Sequence, residues 1–184
     1  MTYEQALKII LLNEGGYVND PNDSGGETYC GISRNNFPNW DGWHTIDVER
    51  GCADFPNSLS HNPILLDSLS LFYFDTFWTP LKLDGVKNGI LKLHIFDEAV
   101  NTGTHEAIIL LQSIIGVTQD GCVGNDTLNT TNNYPNQLEL AQRYMLGRDS
   151  FYQEIVKKKP ENQKYLKGWL QRVANTEMYG EKIG

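Results

Sequence analysis

Leu11-Leu12-Asn13-Glu14-Gly15-Gly16-Tyr17-Val18-Asn19-Asp20-Pro21 is the stretch on which the fold turns, because the residues before it pattern as a helix and those after it do not. Upstream, Thr2 is followed three residues later by Gln5, the form of a capping box, and Ala6, Ile9, Ile10 and Asn13 recur on one helical side. That spacing predicts a first helix over 2–13. Paired glycines relax the backbone into left-handed conformations that end a helix, so Gly15-Gly16 sets Glu14 at a helix terminus. Downstream, from Tyr17 to Asn62, the chain is rich in Asn, Asp, Gly, Pro and Ser. It carries short β-type pieces such as Thr28-Tyr29-Cys30-Gly31-Ile32-Ser33 and no sustained helical period. A loop-and-hairpin lobe is therefore expected over 15–62.

Helical patterning resumes at Asn62-Pro63, a cap followed by proline at the first helical position, and runs through Leu65, Leu66, Leu69, Phe72, Tyr73 and Phe77 until Pro80. Segments at 91–101 and 104–115, separated by Gly103, read as an αα-hairpin. Residues 116–136 read as a polar loop, 137–158 as a long helix broken by Pro160, and 162–176 as a last helix with a frayed tail after Tyr179. The sum is a mainly α protein, a helical bundle core with a small β/loop lobe after the first helix.

The chain of 184 residues is long enough for one buried core, or a core and a satellite lobe. Net charge of −8 would repel a phosphate backbone, and the lysine run Lys157-Lys158-Lys159 lies at a helix end where it complements the helix dipole. Nucleic acid is excluded as a partner. No apolar run reaches spanning length, so membrane insertion is not expected, and no basic-apolar-small order of a signal peptide is visible. Cys30, Cys52 and Cys122 are odd in number and lack CxxC spacing, which predicts reduced, partly buried thiols. His44, His61, His94 and His105 lack metal-ligand spacing, so neither a metal nor a cofactor is expected.

Hydrolysis of a glycosidic bond requires one carboxyl to protonate the leaving oxygen and a second group opposite it. Glu14 suits the first role, with Leu11, Leu12 and Tyr17 as the apolar wall such an acid needs. Asp20 and Asp23 are candidates for the second, in a turn-forming run that can fold back over the helix end; an Asp before Pro or Ser-Gly also serves simply as a turn former. Trp40 and Trp43 suit either sugar stacking or packing of the lobe.

At these residues the sequence resembles a known family. Asn13-Glu14-Gly15-Gly16-Tyr17-Val18-Asn19-Asp20-Pro21, then Asp23, Gly25-Gly26, Thr28 and Gly31-Ile32-Ser33, is similar to the opening signature of the glycoside hydrolase 108 lysozymes, also called secretion activator proteins. The resemblance implies an N-acetylmuramidase acting on the peptidoglycan glycan strand, with a lysozyme-like α+β fold and Glu14 as the essential acid. The order Glu14, Asp23, Thr28 is similar to that of phage-type lysozymes, in which the Asp and Thr hold an attacking water for inversion. Asp20 matches the family signature as well, leaving both aspartates open.

Further along, Phe96-Asp97, Val100-Asn101 and Gly103 resemble the family's mid-domain element, where Asn101 either touches substrate or caps its helix. Leu111-Gln112, Gly116-Val117, Asp120-Gly121, Gly124 and Thr127 resemble a pattern of peptidoglycan-associated helical modules. Arg143-Tyr144, Arg148-Asp149, Phe151-Tyr152, Gly168-Trp169-Leu170 and Arg172-Val173 are similar to the predicted peptidoglycan domain of that family. The expected organisation is a catalytic region at 1–103 and a helical peptidoglycan region at 104–184, packed as one unit. Tyr17, Asn101 and Trp43 are the candidate substrate-binding residues. Synthesis in the cytoplasm followed by holin-type or other export to the wall fits an endolysin and a secretion-linked wall enzyme alike. A Cys-His amidase built on Cys30 or Cys52, and a non-catalytic wall-binding factor, are the competing readings.

Overall fold

The computed structural model describes residues 1–20 and 26–183. In chain order the elements are α1 (Tyr3–Glu14), β1 (Tyr17–Asn19), β2 (Glu27–Tyr29), β3 (Ile32–Ser33), α2 (Gly42–Glu49), α3 (Pro63–Tyr73), α4 (Gly89–Thr102), α5 (Thr104–Ile115), α6 (Asn125–Asn132), α7 (Gln137–Lys158) and α8 (Gln163–Ile183). The protein is mainly α with one small sheet, as expected. It divides into two compact units, one of residues 1–10 with 77–184 and the other of residues 11–76. The division cuts through α1 and falls elsewhere than at residue 103.

The larger unit is a helical bundle. The capping box forms as read: Thr2 N donates to Gln5 Oε1 at 2.8 Å and Gln5 N to Thr2 Oγ1 at 3.4 Å. The first turns of α1 then bury Tyr3, whose ring meets Trp78 edge-on and lies against Phe96. Asn88 caps α4, accepting from Leu91 N at 2.9 Å, and Gly103, at φ +100°, turns the chain into α5. Gly147 of α7 lets Leu110 of α5 approach, and Gly180 of α8 faces Leu93 and Ile90 of α4.

Buried charge ties α4, α7 and α8 together. Arg148, fully buried, donates from Nη2 to Asp97 and from Nε to Glu98 Oε2 at 2.7 Å. Arg172 and Thr176 of α8 also donate to Asp97, at 2.9 and 3.0 Å. Arg148 Nη1 contacts His94 Nδ1 at 2.9 Å; a guanidinium only donates, so Nδ1 accepts and the His94 Nε2–H faces Glu177 Oε2 at 2.6 Å. Asp97 lies before residue 103 and Arg148 and Arg172 after it, so the buried network spans that position.

Three expectations are corrected. The polar loop at 116–136 contains α6, whose buried residues are Thr127 and Thr131, so its inner face shows no apolar period. The last helix extends beyond residue 176, past Gly180, which packs on α4, to Ile183. Of the three thiols, Cys52 and Cys122 are exposed and only Cys30 is half-buried.

The smaller unit, residues 11–76, is the lobe. β1, β2 and β3 form an antiparallel sheet in sequence order, with Tyr17 opposite Tyr29, Val18 opposite Thr28 and Thr28 opposite Ser33. Where the sequence predicts no helix in the lobe, the lobe holds α2, which buries Trp43 and Ile46, and a 3₁₀ turn at Asn57–His61. Two core contacts three residues apart are too few to register as a period. Asn62 caps α3 through its side chain, accepting from Leu65 N at 3.1 Å, and Leu65, Leu69 and Tyr73 face inward.

Candidate active site

Glu14 is the last residue of α1, and Gly15 after it takes φ +74°, the left-handed turn expected of a helix-ending glycine. The chain then enters β1, and the hairpin β2–β3 returns so that its turn, Cys30-Gly31, meets the Glu14 carboxylate. Gly31 has φ +80°, and a Cβ there would collide with Glu14 Oε2 and stand 2.8 Å from Tyr73 Oη. The hairpin turn therefore needs glycine for both conformation and space. Glu14 is half-buried, with Oε1 shielded from solvent.

The turn is itself held down. Cys30 N donates to Gly16 O at 3.1 Å, and Tyr73 Oη donates to Cys30 O at 2.7 Å. Burial pushes the Cys30 thiol up to about 11, and the charge of Glu14 adds to that shift against an opposing hydrogen bond with Tyr29. Beside the Glu14 terminus lies a hollow of about 380 Å³, lined by Gly15, Gly16, Tyr17, Tyr29, Cys30, Pro56, Asn57, Leu59 and Ser60.

Around the sheet a second set of charges fixes the lobe. Glu27 is buried and receives Arg34 Nε at 2.8 Å and the Arg50 guanidinium, while Arg34 reaches on to Asp47 at 2.7 Å. Tyr17 Oη donates to Glu27 Oε1 at 2.9 Å, a diagonal cross-strand pair, and its ring meets Phe55 edge-on. Burial, with Glu27 next to it, raises the Tyr17 hydroxyl above its ordinary value. The Arg34 hydrogen bond holds Asp47 below the usual carboxylate range.

The structure brings Glu14 and Tyr17 to the same end of the lobe. Of the expected apolar wall, Leu12 is instead 58% exposed, while Leu11 and Tyr17 are half-buried, and Gly31 abuts the Glu14 carboxylate. Thr28 is half-buried in β2, its Oγ1 donating to Gly26 O at 3.3 Å. Asp20 is exposed at the end of β1, and Asp23 lies outside the described residues. Trp43 is only 4% exposed and spends its indole N–H on Phe37 O at 2.8 Å, so packing of the lobe is its main role; Trp40 is more open. In the other unit, Asn101 donates to Tyr152 Oη at 2.7 Å, and that hydroxyl donates to Glu98. Its side chain is part of the bundle's buried network and does not cap the helix. Gly31 and Tyr73 carried no chemical signal of their own in the sequence, since one is a turn glycine and the other one of several inward aromatics of a helix.

The pattern at 111–127 also resolves into mechanics. Gln112 Nε2 donates to Asp120 Oδ1 at 2.7 Å and Cys122 O at 2.9 Å, and its Oε1 accepts from Gly121 N at 2.9 Å. One carboxamide thus pins the loop that leads into α6.

No curated protein matches the chain. A solved structure from Brucella abortus, "Structure of Brucella abortus SagA", superposes with a TM-score of 0.70 at 23% identity, covering 98% of this chain and 94% of that one, which establishes a shared fold. Residues 106–174 match the family described as "Predicted Peptidoglycan domain", and residues 7–103 match "Glycosyl hydrolase 108". Among the described residues no helix is long and apolar enough to cross a membrane. With a glycosidase region carrying Glu14 followed by a peptidoglycan module, the chain belongs to the glycosyl hydrolase 108 family and is a glycoside hydrolase directed at peptidoglycan.

Proposed function

We propose that this protein is an N-acetylmuramidase, a lysozyme-type hydrolase of the β-1,4 bond between N-acetylmuramic acid and N-acetylglucosamine, with Glu14 as general acid. One observation carries this reading: the Glu14 carboxylate abuts Gly31 at a helix end, half-buried, and the next residue, Gly15, lines a hollow of about 380 Å³. An acid in that position gives its proton to the departing 4-oxygen as the C1–O bond breaks. Water adds to C1 and gives its own proton to a second carboxylate.

Asp20 and Asp23 are the candidates for that carboxylate, and the reaction proposed is inversion, which needs roughly 6.5–9.5 Å between the two carboxyls. Thr28 Oγ1 directs its hydrogen at Gly26 O, so its lone pairs would accept from the attacking water. Tyr17, which lines the hollow at Gly15, would line the strand's path. The enzyme would reach the periplasm or wall by holin-type or other export, as an endolysin or as a secretion-linked wall enzyme.

Borohydride reduction of the digest tests the bond specificity: muramitol ends are expected, and glucosaminitol ends would refute it. Proton NMR of first-formed product tests inversion, where an initial β-anomer would refute it. The amidase reading has less support. Burial holds Cys30 protonated and Glu49 raises Cys52, whereas an amidase needs a thiolate. Wall binding without any product would favour a non-catalytic factor.

A further inference from the structure

Three hollows of the lobe, of about 230, 260 and 600 Å³, meet at one side chain, Trp40, which lines all of them. None shares a lining residue with the hollow at Gly15. Trp40 is held rigidly: its indole N–H donates to Ser68 O at 3.2 Å, it meets Trp43 edge-on at 5.0 Å, and it stacks on buried Tyr29 at 6.2 Å. Gly42 leaves room for it, since any Cβ there would collide with the indole. Half-buried Phe72, Phe37 (37% exposed) and Leu71 (59% exposed) extend the apolar surface. Around the ring stand exposed Asn39, Asp41 and Asp75.

We infer that this surface is a second carbohydrate site, where the Trp40 indole stacks on an N-acetylhexosamine ring of the glycan strand, apart from the Glu14 site. The chemistry selects the ligand. An aromatic face matches the C–H face of a pyranose, and amide and carboxylate groups at its edge match ring hydroxyls and the acetamido N–H. The acidic edge repels phosphate-rich polymers. The inference rests on the reading that the chain acts on peptidoglycan; a polymer gripped at a second point stays in register while a bond is cut elsewhere, and effective concentration replaces free diffusion.

The test is a ¹⁵N NMR titration of the full Glu14→Gln chain with tri-N-acetylchitotriose, the Trp40 indole resonance being assigned by Trp40→Phe. Saturable shifts of the Trp40 indole N–H and the Asn39 side-chain amide are expected. Asn39→Ala combined with Asp75→Ala, both on the surface, should weaken that response by about three- to tenfold, the loss expected for a few polar and ring contacts. Shifts confined to residues 14–17 and 56–60, or an unchanged affinity in the double variant, would overturn the site. Full turnover by Glu14→Gln would instead refute the general-acid reading and leave the Trp40 shifts as they are, so the two failures are distinguishable.

Discussion

The Cα of Gly31 abuts the carboxylate of Glu14 so closely that no side chain fits between them. A hairpin turn and a helix end, separate in sequence, thereby define one position for the acid.

Gly31→Ala should expose this dependence. The backbone there has φ +80°, and strain of this kind costs about 1–3 kcal/mol. Displacing a reacting group by about 1 Å costs on the order of 10²-fold in rate. A modest fall in melting temperature with a much larger fall in peptidoglycan clearance is expected. Undiminished clearance would show that the Glu14 position is not set by this contact.

Removing Asp97 leaves Arg148 buried without one of its anions and deprives Arg172 and Thr176 of an acceptor. Asp97→Ala should therefore cost about 3–5 kcal/mol by urea unfolding, the usual result of breaking a buried ion pair from one side. A cost under about 1 kcal/mol would show that the network carries little of the bundle.

The same residue sets an acid limit. Burial alone would raise Asp97, but Arg148 and Arg172 outweigh it and bring it to about 2. Its folded value lies below the ordinary value of about 3.9, so its contribution is complete above that value and is lost as pH falls towards 2. Urea midpoints should drop between about pH 4 and pH 2, and a flat profile across that window would contradict this.

Thiol reactivity offers an independent probe of the Glu14 surroundings. Cys30, pushed up to about 11 and half-buried, should be alkylated by iodoacetamide at pH 8 far more slowly than exposed Cys122, as read by peptide mass mapping. Equal rates would mean that the Cys30-Gly31 turn opens readily.

Much of this architecture is legible in the sequence. Helices α3, α4, α5 and α7 carry apolar positions at helical spacing with asparagine or glycine at their ends, and both signals are local. The helix-end position of Glu14 is legible for the same reason, through the two glycines after it. What escaped was non-local or polar. α6 turns threonines inward, α2 offers only two core contacts, and the pairing of Asp97 with Arg148 and Arg172 spans 51 and 75 residues. The press of Gly31 on Glu14 belongs with these, because no spacing rule links a turn glycine to a helix-end acid.

The account stands most directly on Glu14→Gln, a change of one atom that keeps the shape of the side chain and removes its proton. Reducing ends released from purified peptidoglycan should fall by at least about 10³-fold, with the circular dichroism spectrum and wall pull-down of the parent retained. Release at the parent rate by a folded Glu14→Gln chain would contradict the assignment of Glu14 as the acid.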